Sequence, residues 1–213
     1  MIYGFALHNQ GSGMTETKDM VRDADIVRAT VAHIQLTEED YAAVKEARRR
    51  NPILHIDHYA LGCRNAEETR RFYEDLLGMP LVNTLVLEDP FSNDGTQYCH
   101  LFFEMANGNF LAFFAHEKAF KPQDFVPKSG WHQHVAMEVA DDETVQAYRK
   151  KLTAAGVDSK YIDHGLYHSL YFNDPNGINL EVTYKTQGTA EHEVKARKVA
   201  RSLLDAWTSK HGG

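Results

Sequence analysis

The sequence predicts an α+β fold in which two tandem βαβββ modules form a cupped mixed sheet, with N- and C-terminal helical extensions. Three observations carry this expectation: an internal repeat, a capped helix in each copy, and runs of β-forming residues behind each helix. Placing His58 on His134 overlays Ile56-Asp57-His58-Tyr59-Ala60-Leu61 on His132-Gln133-His134-Val135-Ala136-Met137. Fourteen positions after each histidine stands an aromatic, Phe72 or Tyr148, and eighteen positions after it a leucine, Leu76 or Leu152. A shared period of this kind marks one supersecondary unit used twice.

Each copy opens as a strand followed by a helix. Asn65 is the expected N-cap of the first helix with Glu68 as the capping-box acid, Phe72, Tyr73, Leu76 and Leu77 recur at helical spacing, and Gly78 suits a left-handed stop. Asp141 starts the second helix, Val145, Tyr148 and Leu152 make its buried stripe, and Gly156 ends it. Residues 81–87, 97–105 and 110–116 read as strands, and a shorter second set closes with 169–173 and 178–184. Asn107-Gly108 and Asp174-Pro175-Asn176-Gly177 are hairpin turns joining the last two strands of each copy. The expected organisation is an extension over residues 1–51, partly helical at 37–50 and with a tag-like first dozen, then a domain over 52–185. That domain divides into module one, 52–118, and module two, 130–185, with 121–130 as the linker. An amphipathic C-terminal helix falls within 188–213, on the apolar set Val194, Ala200, Leu203, Leu204 and Trp207.

The bulk composition limits the function. In a chain of 213 residues, 43% hydrophobic and 25% charged, a proper core can be buried. A net charge of -7 with no basic cluster excludes a nucleic-acid partner and favours a small molecule. No stretch approaches the roughly 20 apolar residues that span a bilayer, and no basic-then-apolar leader opens the chain, so a cytoplasmic protein is expected. Cys63 and Cys99 are then reduced thiols, without zinc-site spacing. The extra helices offer apolar surface, which leads us to expect a homo-oligomer, a dimer.

Strand alternation sorts the 12 histidines. Between 131 and 140, Val135, Met137 and Val139 share the face expected to pack on the helix, which leaves His132, His134 and Ala136 opposite. By the repeat, Tyr59 and Leu61 face the first helix and His58 emerges on the same concave side as His134. In the last strand Ile178, Leu180 and Val182 form the packing face, leaving Asn179, Glu181 and Thr183 opposite. Three ligand-capable side chains, His58, His134 and Glu181, thus come from three strands on one sheet face. A buried carboxylate needs a cation, and two imidazoles with one carboxylate form the facial triad of non-haem Fe(II) dioxygen chemistry. Sequence order does not name the metal, so Mn2+ or another divalent ion is the alternative to Fe(2+).

Over residues 52–185 these features resemble the vicinal oxygen chelate superfamily, which includes glyoxalases, fosfomycin-resistance proteins, bleomycin-binding proteins, epimerases and type I extradiol dioxygenases. The resemblance implies a cupped sheet around one metal, with His58, His134 and Glu181 at the ligand positions. Ile162-Asp163-His164, then Leu170-Tyr171-Phe172-Asn173-Asp174-Pro175-Asn176-Gly177, then Glu181, resembles the extradiol ring-cleavage motif of the smaller, single-domain members. That likeness implies an iron ligand at Glu181, an acid/base at His164 and a substrate-binding hydroxyl at Tyr171. His100, His132, His168, Phe102, Phe110 and Phe172 are the expected pocket lining. Family members often carry a histidine on the last strand of module one. Here residues 108–112 have none, and Ala112 stands where glyoxalase-like sites place a fourth ligand. The expected function is therefore extradiol cleavage of a catechol-like aromatic with O2. The alternatives are a non-oxidative metalloenzyme of the same superfamily (a glyoxalase, epimerase or fosfomycin-type thiol transferase) and a metal-free small-molecule binding protein.

Overall fold

The computed structural model describes residues 29–127 and 132–211; Trp131, the end of the expected linker at 128–130 and the first dozen residues lie outside them. Helix α1, Glu38–Arg50, begins at Thr37, whose backbone N–H donates to Asp40 at 2.8 Å, and ends in three arginines that suit the negative end of its dipole. Module one then runs β1 (His58–Cys63), helix α2 (Ala66–Arg70, continued as a wider π-helical stretch Arg71–Leu76), β2 (Leu81–Glu88), β3 (Gln97–Glu104) and β4 (Phe110–His116). Module two repeats it as β5 (Val135–Glu138), α3 (Asp142–Ala154), β6 (Ser159–Asp163), β7 (Tyr167–Asn173) and β8 (Asn179–Lys185). Helix α4, Thr189–His211, closes the described chain. Each module is a four-stranded mixed sheet of the same order, β1-β4-β3-β2 and β5-β8-β7-β6, with the first strand parallel to the last.

The caps form where the short polar residues stand. Asn65 accepts from the Glu68 N–H at 2.8 Å and Asp141 from the Thr144 N–H at 2.8 Å. The Glu68 carboxylate does not complete a capping box: it turns to Arg64 at 2.7 Å, because a full charge attracts it more strongly than a backbone amide.

One core holds both modules. Tyr73, Phe103 and Phe113 are fully buried, with Tyr73 packed against Phe103 and Phe113 at ring separations of 5.3 and 4.7 Å. The same cluster continues through Phe72 and Phe172 to Leu170, Leu180, Val145 and Leu152 of module two. A polar bolt crosses the join. Tyr73 donates to Asp174 at 3.0 Å, Asp174 accepts from the Asn176 and Ile178 amides at 2.9 and 2.8 Å, and Asn176 reaches Thr69 and the Arg64 N–H at 3.2 and 3.0 Å. On the other side Tyr148 donates to the Leu77 carbonyl at 2.7 Å. Half of the motif at 170–177 thus serves to fasten the modules. Burial pushes the Asp174 carboxyl above, and the Tyr73 phenol well above, its ordinary range.

The connecting segment is strapped across both modules. A side chain at Gly62 would meet the Phe120 ring at 2.7 Å, and one at Gly177, whose φ is +76, would meet the Val126 backbone at 2.6 Å. The terminal helices pair through Lys198 with Asp40 at 2.7 Å and Arg48 with Glu193 at 3.8 Å. Val194 of α4 is buried, whereas Leu203, Leu204 and Trp207 are exposed, so only the first half of its apolar stripe is covered within the chain. Cys63 and Cys99 are free, the first buried and pushed up to about 11 by desolvation. No helix among the described residues is long and apolar enough to cross a membrane.

Candidate functional site

Register fixes which side chains share the sheet face away from the helices. In module two, Ala136 lies opposite Glu181, and Tyr171 lies opposite Glu181 from the other side. His134 sits one residue before β5, and its Nε2 is 2.9 Å from Glu181 Oε2, a carboxylate side chain that is 9% exposed. The Tyr171 ring stands edge-on to the His134 ring at 5.9 Å, and its hydroxyl is 3.2 Å from His164 Nε2. Two residues along the same strands, the buried hydroxyls of Ser169 and Thr183 are paired at 2.9 Å. Burial first, and the Glu181 carboxylate second, push the Tyr171 phenol up to about 12. Tyr171 therefore holds its proton throughout the neutral range and serves as a hydrogen-bond donor.

In module one, His58 pairs in register with Phe110, and Phe102 and His100 lie across β4 on the same face. The His58 side chain is 42% exposed and its Nδ1 is 2.7 Å from Asp57. Its ring is 6.0 Å from Phe102 and 6.5 Å from His100. Desolvation, with the neighbouring His58, pushes His100 down from the usual imidazole range, so it is neutral at pH 7. A cleft runs between the modules, lined among others by Tyr59, Phe110, His134, Val135 and Tyr148.

These placements bear directly on a divalent metal. The chemistry of the His134–Glu181 pair suits one: an imidazole nitrogen and a nearly buried carboxylate oxygen face each other at 2.9 Å. His58 does not join them. Among the described residues no group of three or more His, Cys, Asp or Glu side chains lies close enough together to hold a metal ion. The fold therefore gathers two of the three expected donors and leaves the third beside Asp57, His100 and Phe102.

Three further expectations are corrected. Phe172 is 3% exposed and packs on Phe72 in the core, because it lies on the helix-facing side of β7 opposite Leu180. His168 also faces the helical layer, where its Nδ1 is 2.8 Å from Asp142; strand parity puts it opposite to Tyr171. Tyr59, expected to pack under helix α2, is 47% exposed and lines the cleft beside His134, because β1 is an edge strand. His132 is exposed, in the turn before β5. Conversely, the structure adds Asp57 beside His58 and Phe114 beside His100. Asp57 precedes His58 and so was within reach, and Phe114 follows by alternation from Phe110 through Ala112.

Comparison with known proteins agrees with this architecture. A profile described as the Glyoxalase/Bleomycin resistance protein/Dioxygenase superfamily matches residues 55–182, more than half of the chain. No curated protein sequence matches. Among solved structures, a glyoxylase/bleomycin resistance protein/dioxygenase domain from Frankia sp. EAN1pec superposes with a TM-score of 0.50 at 16% identity, covering 62% of this chain and 98% of its own. The fosfomycin resistance protein FosX from Listeria monocytogenes, complexed with Mn(II) and sulfate, gives 0.47 at 19% identity, covering 65% and 98%. A glyoxalase/dioxygenase from Nostoc punctiforme gives 0.46 at 18%, covering 62% and 92%. From the profile match over both modules, the chain belongs to the glyoxalase, bleomycin resistance protein and dioxygenase superfamily.

Proposed function

We propose that this protein is a non-haem Fe(2+)-dependent extradiol-type dioxygenase that opens a catechol-like aromatic ring with O2. The observation that carries the reading is the row His164–Tyr171 beside His134–Glu181, with His164, Tyr171 and Glu181 at the motif positions, His134 at the repeat position, and all four on one side of module two. Iron, held by His134 and Glu181 with His58 as the remaining donor, would supply the dioxygen chemistry. Tyr171, kept protonated by burial, donates to a substrate oxygen. His164, within hydrogen-bond reach of that phenol, gives or takes a proton at the Tyr171 hydroxyl or at the substrate oxygen bound to it. Glu181, almost shielded from water, lies at the floor of the site with its Oε2 2.9 Å from His134 Nε2. The half-buried rings of Phe102 and Phe110 form the opposing wall. Anaerobic loading with iron followed by a panel of aromatic diols tests the reading: oxygen uptake with a ring-opened, coloured product is expected. Uptake with no diol at full iron occupancy overturns it.

One observation favours a second reading, a metal-free small-molecule binding protein: the three expected donors do not converge among the described residues. Ligand affinity that is identical before and after chelation, with no metal in the purified protein, would establish it.

A further inference from the structure

Among the described residues His100 Nε2 is the one buried side-chain nitrogen or oxygen without a hydrogen-bond partner. Leaving such an atom unpaired costs stability, and a phenylalanine or leucine at this position would carry no such cost. The atom sits inside a column of rings on the open face of module one. Phe110 stands 6.0 Å from Phe102, Phe102 4.2 Å from His100, His100 is stacked on Phe114 at 3.7 Å, and Phe114 lies 5.6 Å from Tyr98. These rings are half-buried, and the exposed Leu85 lies opposite His100 on β2. The column is longer than a single benzene ring can cover. Module two has no counterpart: its face presents Glu181, Thr183, Ser169 and Tyr171 instead.

We propose that His100 is the residue by which module one holds a hydroxylated aromatic of two or more fused or linked rings, its Nε2 accepting the ligand's hydroxyl while the rings lie along Phe110, Phe102 and Phe114. The His58 ring stands edge-on to His100 at 6.5 Å and is 42% exposed, at the mouth of this column. The proposal deepens the dioxygenase reading by naming the size class of its substrate, and it concerns binding alone.

The test accordingly uses the full metal-free chain under argon and probes that are not diols: phenol, 2-naphthol and naphthalene, titrated by fluorescence or calorimetry. 2-Naphthol is expected to bind at least about tenfold more tightly than phenol. His100→Phe, which keeps the ring column, should weaken 2-naphthol about tenfold and leave naphthalene unchanged, and His100→Gln should restore part of the loss. Phe102→Ala should weaken 2-naphthol and naphthalene alike. Equal affinity of wild type and His100→Phe for 2-naphthol overturns the proposal, above all if His100→Phe also melts higher, which would mark Nε2 as an unpaid core atom. Tight 2-naphthol binding without cleavage of 2,3-dihydroxynaphthalene by iron-loaded protein leaves this inference standing and removes the dioxygenase. Cleavage with an unchanged KM in His100→Phe does the reverse.

Discussion

The two modules share a topology and differ in what they present on their open faces. Module one offers rings: Phe102, Phe110, Phe114, Tyr98 and His100, bordered by the exposed Leu85 and Leu87 of its edge strand β2. Module two offers acids, hydroxyls and imidazoles, and its edge strand β6 is short and reads Ser-Lys-Tyr-Ile-Asp. The same strand order thus carries two different faces, one aromatic and apolar, the other polar. An edge strand as apolar as β2 is a liability in a free monomer, and natural sheets cover such edges. The polar face needs no such cover.

Several substitutions break or sharpen that contrast. Glu181→Gln should have the largest effect, lowering divalent-metal affinity by on the order of 100-fold or more in an anaerobic titration, because it removes the charged donor. His58→Ala should cost less, since His58 stands apart from the pair; equal losses would mean that a bound metal draws donors of both modules together. Tyr171→Phe and His164→Asn should each lower kcat by roughly 10- to 100-fold at unchanged metal content, measured by oxygen uptake. If either variant loses metal instead, that residue belongs to the coordination sphere and not to proton handling. Tyr73→Phe leaves both faces intact but removes the donor to Asp174; it should cost about 1–3 kcal/mol in denaturant unfolding. A change in substrate affinity with that variant would show that the join between modules also shapes the site.

The smallest effect is a pH dependence. Tyr73 and Tyr171 have folded-state pKa values raised above the ordinary 10, so the folded protein retains protons that the unfolded chain has lost. Stability is then full below about pH 10 and falls as pH rises through the window from 10 towards 12. Unfolding followed by circular dichroism across that range checks it, and Tyr73→Phe should flatten the fall. A protein as stable at pH 11 as at pH 9 would contradict the buried, protonated assignment.

Much of this architecture was legible in the sequence, for reasons that particular residues make plain. Asn65 and Asp141 cap helices because a side-chain oxygen at that position can satisfy an orphan amide, whatever the tertiary surroundings. The alternation of Leu180 and Val182 with Glu181 and Thr183 gave the faces of β8, since a strand has a period of two. The contact between His134 and Glu181 followed from that parity and the repeat. His58 did not follow, because a repeat gives equivalent positions within two modules and says nothing of how the modules meet. Phe172 and His168 lie on the other face for a simpler reason: each is an odd number of positions from Tyr171, and strand parity outweighs their nearness to it in sequence. Asp174 and Asn176, part of the motif at 170–177, work as the bolt between modules, which only the tertiary contact with Tyr73 and Thr69 reveals.

The proposed metal anchor is the His134–Glu181 pair of module two. Calorimetric titration of iron(II) into the metal-free chain under argon, run side by side on wild type and Glu181→Gln, addresses it most directly. One ion per chain should bind to wild type and the variant should show no comparable heat. A wild type that takes up no iron, or a variant that binds it equally well, would contradict the assignment.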